Sequence, residues 1–410
     1  MVFGETPIPA EPADSVWALD PAVVMLNHGS FGACPKIVLH AQDRFRAQME
    51  SDPVRFFLRE LEPILDGSRQ ALADLLGVEA ADLVFVRNAT AGVNSVLRSL
   101  PWRQGDEILV TNHAYNACRN AVDYVAGRHG ASVSVVSVPM PIDSPQQVIE
   151  SVVAGVNERT RLAMLDHVTS PTALVLPIVE LVALLAQRGV DVLVDGAHAP
   201  GMVPVNLAQL GAAYYAGNCH KWLCAPKGAG FLYVRPDRQE GIQPVTISHG
   251  FNTRRPGRPL LHDAFDWTGT DDLTPWLCVG EAIRFLGDRP GGILGLMERN
   301  HALALAGRDV LRRAMGIGPP CPDPMIGSMA AVPLPVDSDP AAGDPAVTPS
   351  PVWRLQTRLL ERFAIEVPLY YWPAAPHRFV RISAQAYNEL GQYERLAEAL
   401  VEVIDFGVLA

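Results

Sequence analysis

Between Leu83 and Val234 short apolar runs alternate with helical repeats, and this rhythm limits the possible folds more sharply than anything else in the sequence. The runs Leu83–Val86, Glu107–Thr111, Val133–Val138, Arg161–Leu165, Val190–Val194 and Gly230–Val234 have the length and β-branched content of buried strands. The clearest helix separates two of them: Ile178, Val179, Leu181, Val182, Leu184 and Leu185 share one face before Gly189 ends it. Strand, helix and strand in that order predict an α/β fold with a mainly parallel central sheet.

Either side of this core the pattern changes. Residues 1–25 are rich in proline and acids and read as an N-terminal arm. Helical repeats over Ile37–Met49 and Leu61–Leu76 precede the first strand, the former also able to pack with a second domain. Past Val234 the rhythm fades, and helices resume over Thr274–Phe285 and Ile293–Met315, which places the large domain at 26–287 and a small α+β domain at 288–410. The small domain has helical patterns at Val352–Phe363 and Glu389–Ile404 and short strands near Glu366–Val367 and Phe379–Ile382. The Pro- and Gly-rich stretch 318–351 is expected to be in part a mobile surface loop, unable to fill a core.

Charge and composition exclude several classes of function. With 410 residues, 49% of them apolar, the chain can bury a large core. Its net charge of -11 is spread without a basic block, which argues against nucleic acid as a partner. No stretch reaches the ~20 apolar residues of a membrane span, and Met1–Asp20 lacks a signal-peptide pattern, so a cytoplasmic location is expected. Six irregularly spaced cysteines read as reduced thiols and suggest no metal site. Only three residues are lysine, namely Lys36, Lys221 and Lys227, so amine chemistry has three candidates.

Lys221 stands out among them. It lies in Asn218-Cys219-His220-Lys221-Trp222, just ahead of the glycine-rich Ala225–Gly230. An amine that forms an imine needs a partly desolvated setting or a cationic neighbour that lowers its pKa. Upstream, the apolar run Val192–Val194 ends in Asp195, followed by Gly196, Ala197 and His198. In open parallel sheets ligands collect outside the carboxyl ends of strands, where Asp195 would sit. A carboxylate there can keep a pyridine nitrogen protonated, so the lysine and the aspartate together suit pyridoxal 5'-phosphate (PLP), with His198 placed to reach its phenolic oxygen. A strand-end aspartate alone is as often a cap or turn former. Thr90 opens the helical pattern Ala91–Leu100, and helix N-termini attract anions such as phosphate.

These motifs occur with LNHGSFGACP at Leu26–Pro35, DPVRFFLREL at Asp52–Leu61, RNATAGVN at Arg87–Asn94, DHVTSPTALVLPI at Asp166–Ile178 and RISAQAYN at Arg381–Asn388. Together they resemble the fold-type I PLP enzymes of the class V aminotransferase and cysteine desulfurase superfamily, nearest to its isopenicillin N epimerase-like branch. The resemblance implies that Lys221 carries the cofactor as a Schiff base, Asp195 binds its ring nitrogen and His198 its phenolate. It further implies a phosphate site of Ala89, Thr90, Asn218 and His220, with Thr270 reaching across from a neighbouring subunit, and hence a homodimer with shared active sites. His113 matches the position that stacks on the ring, with Tyr115 its rival; Thr169 and Ser170 are placed near the cofactor or substrate. Arg381 matches the clamp for the substrate's carboxylate, while Asn27, His28, Ser30, Arg55 and Phe56 are assigned to the pocket by resemblance alone.

An enzyme acting at the Cα of an amino acid is therefore expected. Epimerisation of the isopenicillin N epimerase type is the first reading, with Lys221 as one base and His113, Tyr115 or Tyr370 as unranked candidates for the opposite face, whereas the Pro-Lys-Gly setting of Lys227 reads as a structural turn. A carbon–sulfur β-lyase is the alternative, and transamination a third. Persulfide sulfur transfer is disfavoured, because Ile365–Val380 lacks the nucleophilic cysteine that desulfurases carry there. A non-enzymatic regulator is also disfavoured, since the arm is too short for a DNA-binding domain.

Overall fold

The computed structural model describes residues 16–337 and 349–405. Most of the expected arm and the middle of the expected loop lie outside the described residues. In chain order the strands are β1 (Val24–Met25), β2 (Leu83–Val86), β3 (Glu107–Thr111), β4 (Ser132–Val136), β5 (Thr160–Asp166), β6 (Asp191–Gly196), β7 (Tyr214–Asn218), β8 (Gly230–Val234), β9 (Met329–Pro333), β10 (Ile365–Glu366), β11 (Leu369–Tyr371) and β12 (Arg378–Ser383).

Seven of them form the central sheet in the order β2-β8-β7-β6-β5-β3-β4. Strands β7, β6, β5, β3 and β4 run parallel, while β8 is antiparallel to both β7 and β2. Helices cover both faces, which is why the inner strands are buried nearly throughout and read as continuous apolar runs. On one face lie helices Ala89–Ser99 and Asn116–His129, packed on Leu162, Met164, Leu193 and Ala216; on the other, Ile178–Ala186 packs on Leu165, Val192 and Val194. Strand β7 is the one central strand that the apolar pattern does not reveal. Its Tyr-Tyr-Ala-Gly-Asn composition lacks an aliphatic run, yet every residue is buried.

The C-terminal part carries a second, antiparallel sheet of order β11-β12-β9, beside the helices Gly292–Ala314, Pro351–Phe363 and Leu390–Asp405. Strand β9 corrects the expectation for 318–351. Met329, Ala330, Ala331 and Val332 are buried between β12 and the flanking helices, and Cys321, Met325 and Ile326 join the same core. Proline and glycine mark the turns around this short apolar run rather than a loop replacing it. Near the other terminus β1 pairs in parallel with β10, so residues 24–25 belong to the C-terminal part and not to a free arm. Helix Lys36–Ser51 packs on Thr274–Leu277 and Val279–Gly287. Among the described residues no helix is long and apolar enough to cross a membrane, and all six cysteines are buried and unpaired.

At the carboxyl ends of β6 and β7, Gly196 and Gly217 are register partners. Their missing side chains leave room for two flat rings: Tyr215 and Phe231 stack with centroids 6.1 Å apart and planes 10° apart. A Cβ on Gly196 would stand 2.1 Å from the Tyr215 ring, and one on Gly217 2.4 Å from Phe231. Gly196→Ala should therefore destabilise the protein by about 1–3 kcal/mol through overpacking; urea denaturation checks this by the shift of the midpoint.

Candidate active site

The carboxyl ends of β5, β6 and β7 and the first turn of helix Ala89–Ser99 enclose a cleft of about 240 Å³. Thr90, Tyr115, Asp166, Ser170, Asp195 and Lys221 are among its lining residues. A larger hollow of about 560 Å³ beside Phe57, Arg255 and Trp267 lies apart from these groups, and its acids and arginines pair with one another. Parallel strands that all end at one edge deliver their following residues to one place, which puts Asp166, Asp195 and Lys221 within one pocket although they are far apart in sequence.

Lys221 is half-buried at the cleft, with its Nζ 3.0 Å from His198 Nε2. Burial and then the nearby charge of Arg381 lower its pKa to about 8, against the opposing pull of Asp195. His198 is buried, and desolvation followed by the Lys221 and Arg381 charges holds its pKa well below the ordinary value, so the ring is neutral. Asp195 Oδ1 accepts the Ala197 N–H at 3.0 Å, and the Cys118 thiol donates to Oδ2, also at 3.0 Å. Strand pairing sets Asp166 beside Asp195. Burial and that neighbouring carboxylate push the Asp166 carboxyl well above its usual range, while the Tyr115 backbone amide bonds to it.

The amino end of helix Ala89–Ser99 forms another wall. Asn88 caps the helix by accepting from Ala91 N at 2.9 Å. Asn218 Oδ1 accepts the Ala89 N–H at 2.8 Å, so this asparagine joins β7 to the helix start and uses the Ala89 amide itself. His220 Nδ1 lies 2.7 Å from Ala229 O and donates to it, leaving Nε2 toward the cleft. Burial lowers the His220 pKa to about 4, an effect that an anion beside Nε2 would offset.

Arg381 is buried on β12. Its Nη1 donates to Ser170 O at 2.6 Å, and Nη2 to Ser30 Oγ at 2.9 Å and, more weakly, Asn27 Oδ1 at 3.5 Å. The guanidinium lies 5.2 Å from the centre of the Tyr370 ring. Its Nε has no partner, and no carboxylate pairs with it among the described residues. A buried guanidinium in that state keeps a donor that an anion would satisfy.

Several expected residues stand elsewhere. His113 does not line the cleft: Nδ1 lies 2.7 Å from Thr172 Oγ1, Nε2 lies 3.0 Å from Val138 O, and the ring is 4.3 Å from Trp372. Tyr115 lines it instead, 44% exposed, with its pKa raised by burial and by the neighbouring Cys118 and Asp195. Thr169 is fully buried and closes its own loop by bonding Thr172 Oγ1 and Leu174 N, leaving Ser170 to the cleft. His28 lies behind the lysine, 3.1 Å from Lys221 O, and not at the cleft surface. Arg55 is exposed and pairs with Glu60. Phe56 is buried in the core, and Thr270 is exposed outside this cleft.

Residues outside the expected set also take part, among them Asp166, Cys118 and Phe31, the last 73% exposed at the cleft. Asp166 had a signal, an acid ending the strand run Arg161–Leu165 just as Asp195 ends its own. Cys118 had none, because the fold alone brings it to Asp195. Among the described residues Asp66, His262 and Asp266 cluster like metal ligands, yet Arg69 and Arg258 already neutralise both acids.

The sequence model of the family described as aminotransferase class-V matches residues 32–318. The chain is 34% identical over 402 residues to a probable chloroplastic L-cysteine desulfhydrase of Arabidopsis thaliana, covering 93% of this chain and 83% of that protein. It is 35% identical over 399 residues to isopenicillin N epimerase of Streptomyces clavuligerus, covering 93% and 95%. Among solved structures, the cystine C–S lyase C-DES in complex with its product cysteine persulfide matches with a TM-score of 0.76 at 22% identity, covering 93% and 97%. A mutant of C-DES has glycine covalently linked to its PLP cofactor.

The depressed pKa of Lys221 can be measured without any substrate. In cofactor-free protein, reductive trapping of Lys221 by a small aldehyde should rise with pH and reach half its maximum near 8, where the amine becomes neutral, instead of near the ordinary 10.5. Peptide mapping separates Lys221 from Lys36 and Lys227.

Proposed function

Since this chain belongs to the aminotransferase class-V family, we propose that it is a PLP-dependent carbon–sulfur β-lyase acting on a cysteine-derived amino acid. It has the type I fold of PLP enzymes and is an enzyme of that family that uses PLP. The cleft fits the cofactor by its own chemistry: it offers a half-buried amine of lowered pKa, a buried carboxylate, a helix N-terminus, and beside them a guanidinium with an unpartnered Nε. When bound, PLP supplies the electron sink that lowers the barrier to losing the substrate's Cα proton.

In this reading Lys221 Nζ would hold the cofactor, and the same atom would serve as the base that takes the substrate's Cα proton. Asp195 keeps a proton on the ring nitrogen, with its carboxylate oriented by Ala197 N and Cys118 Sγ. Neutral His198 serves the phenolic oxygen. Thr90, His220 and the helix start fixed by Asn218 and Ala89 hold the phosphate. Arg381 takes the substrate carboxylate in its fork, and Ser170, Ser30 and Asn27 keep that fork in place. Thr270 of a second subunit completes the phosphate site in a homodimer.

The observation that carries the lyase reading is that, apart from His198 and His220, which this reading gives to the cofactor, the cleft offers one base. His113 and Lys227 do not line it, Tyr370 packs under Arg381, and Tyr115, with its raised pKa, is an acid at neutral pH. Lys221 is left as the one amine, and elimination needs one base and one acid to protonate the departing sulfur. In the second reading, epimerisation, the same Tyr115 would return a proton to the opposite face of Cα instead of to sulfur. The two named relatives divide in the same way.

A panel of cysteine, cystine, S-substituted cysteines and amino acids without a β-leaving group, incubated in D₂O, decides between them. Pyruvate and released thiol are expected from the sulfur-bearing members. Racemised, deuterated substrate without pyruvate would instead establish the epimerase, and a pyridoxamine form with a keto acid the transaminase; either would sink the lyase. Lys221→Ala should lose the borohydride-reducible cofactor adduct and about 10²–10⁴ in turnover. Arg381→Lys should raise KM about 10- to 100-fold, because a charge-assisted forked bond becomes a single point contact.

A further inference from the structure

Residues 26–33 connect the two cationic groups of the site from behind. The segment is fastened to β12 near Arg381: Leu26 O accepts the Ser383 N–H at 2.9 Å, and Ser383 Oγ accepts the Gly29 N–H at 3.0 Å. From this anchor Ser30 Oγ accepts from Arg381 Nη2 at 2.9 Å, and in turn donates to Asn27 Oδ1 at 2.5 Å. On the other side His28 reaches the lysine. Its Nε2 is 3.1 Å from Lys221 O, and its ring lies 4.8 Å from the Trp222 ring.

The tautomer of His28 follows from its neighbours. The Ala33 amide, which can only donate, points at Nδ1 from 3.3 Å, and Tyr387 Oη lies 3.0 Å from the same atom. Nδ1 is therefore the acceptor, and Nε2–H donates to Lys221 O. Gln385 Nε2, 3.2 Å from His28 Nε2, has Cys224 Sγ at 3.7 Å as its acceptor. Burial holds the ring neutral, with a pKa lowered to about 3. Gly32 shows how closely the segment lies on the lysine. At φ 69° it adopts a left-handed conformation, and a Cβ there would meet His220 O at 2.3 Å and Lys221 Cα at 3.0 Å.

We propose that the segment Asn27–Gly32 is a spacer that sets the separation of the Lys221 amine from the Arg381 guanidinium, with His28 as the positioning residue that fixes the lysine. The inference rests on the reading of Lys221 as the base and Arg381 as the carboxylate clamp, and it replaces the role of substrate contact expected for His28. An amino acid held by its carboxylate presents Cα at a fixed reach, so the rate of proton removal depends on where the amine stands relative to the clamp. His28 acts on that distance through the lysine's own backbone and touches neither substrate nor cofactor.

The test uses the holoenzyme with His28→Leu and His28→Gln, assayed on the best substrate of the panel. The Leu variant should lose about tenfold in kcat, the worth of one hydrogen bond, while KM moves by less than about twofold. Borohydride should still reduce the cofactor onto Lys221. The Gln variant, whose side-chain amide can donate over the same reach, should recover most of kcat. The proposal is overturned by a raised KM at unchanged kcat, which would make His28 a substrate contact. It is equally overturned if Gln falls as far as Leu, which would make the role one of packing, or if both match the wild type. Should the Leu variant fail to fold, as read by thermal melting, the comparison of Gln with wild type decides: near-full kcat is expected, and a loss of about tenfold refutes the spacer. Lys221→Ala and Arg381→Lys measured alongside keep the two levels apart. If those variants leave turnover intact the underlying reading falls, and if they abolish it while His28 has no effect on kcat only the spacer falls.

Discussion

Two cations share one side of a small cleft, Lys221 at its wall and Arg381 buried behind, and the rest of the site is arranged around the cost of keeping them there. Placing like charges in a poorly solvated space is unfavourable unless partners offset it. The protein relieves the strain on Lys221 by lowering its pKa, so that much of the amine is neutral near pH 8. Arg381 cannot shed its proton in that way. It is held by neutral oxygens from Ser170, Ser30 and Asn27, while its Nε stays unpartnered. An arginine surrounded by neutral acceptors keeps its full attraction for an anion, which is the condition a carboxylate-binding group must meet.

The sheet makes this arrangement possible because its parallel strands end together. Asp166 and Asp195 are strand-paired neighbours, and Asn218 lies one strand further on, three residues before the lysine. The Asp166 carboxyl is driven upward by burial and by Asp195, and it binds the Tyr115 backbone. Asp195 has two donors of its own, from Ala197 and Cys118. Adjacent strands thus set two acids side by side with different hydrogen-bond partners.

Much of this was legible in the sequence, and the exceptions have physical reasons. Aliphatic runs gave the strands Leu83–Val86, Glu107–Thr111 and Gly230–Val234 to the residue, because burial on both faces leaves an unbroken apolar signature. Strand β7 escaped notice because two tyrosines and two small residues stand in place of an aliphatic run, with its own Tyr215 filling the space beside Gly196 and Phe231 of β8 that beside Gly217. Strand β9 was hidden by the prolines that flank it. Within the site, Lys221, Asp195, His198 and Arg381 could be named from motifs. The choice between His113 and Tyr115 could not, since it turns on whether a side chain two residues further along a loop faces the cleft or Thr172. His28 was recognisable as part of a motif, but its direction depends on Ala33, Tyr387 and the lysine backbone, contacts that no local pattern encodes.

The bond between Ser30 and Arg381 spans 351 positions of chain, and β1 meets β10 across a similar distance. Contacts of such separation carry the largest loop-closure penalty, so they are expected to form after the central sheet has assembled from its local strand–helix units. A ribosome-bound chain can thus bring Asp195 and Lys221 to one sheet edge while the arginine pocket, and the anchor of the segment behind the lysine, are still to be made. Recognition of an amino acid would then be the last property this molecule acquires as it is made.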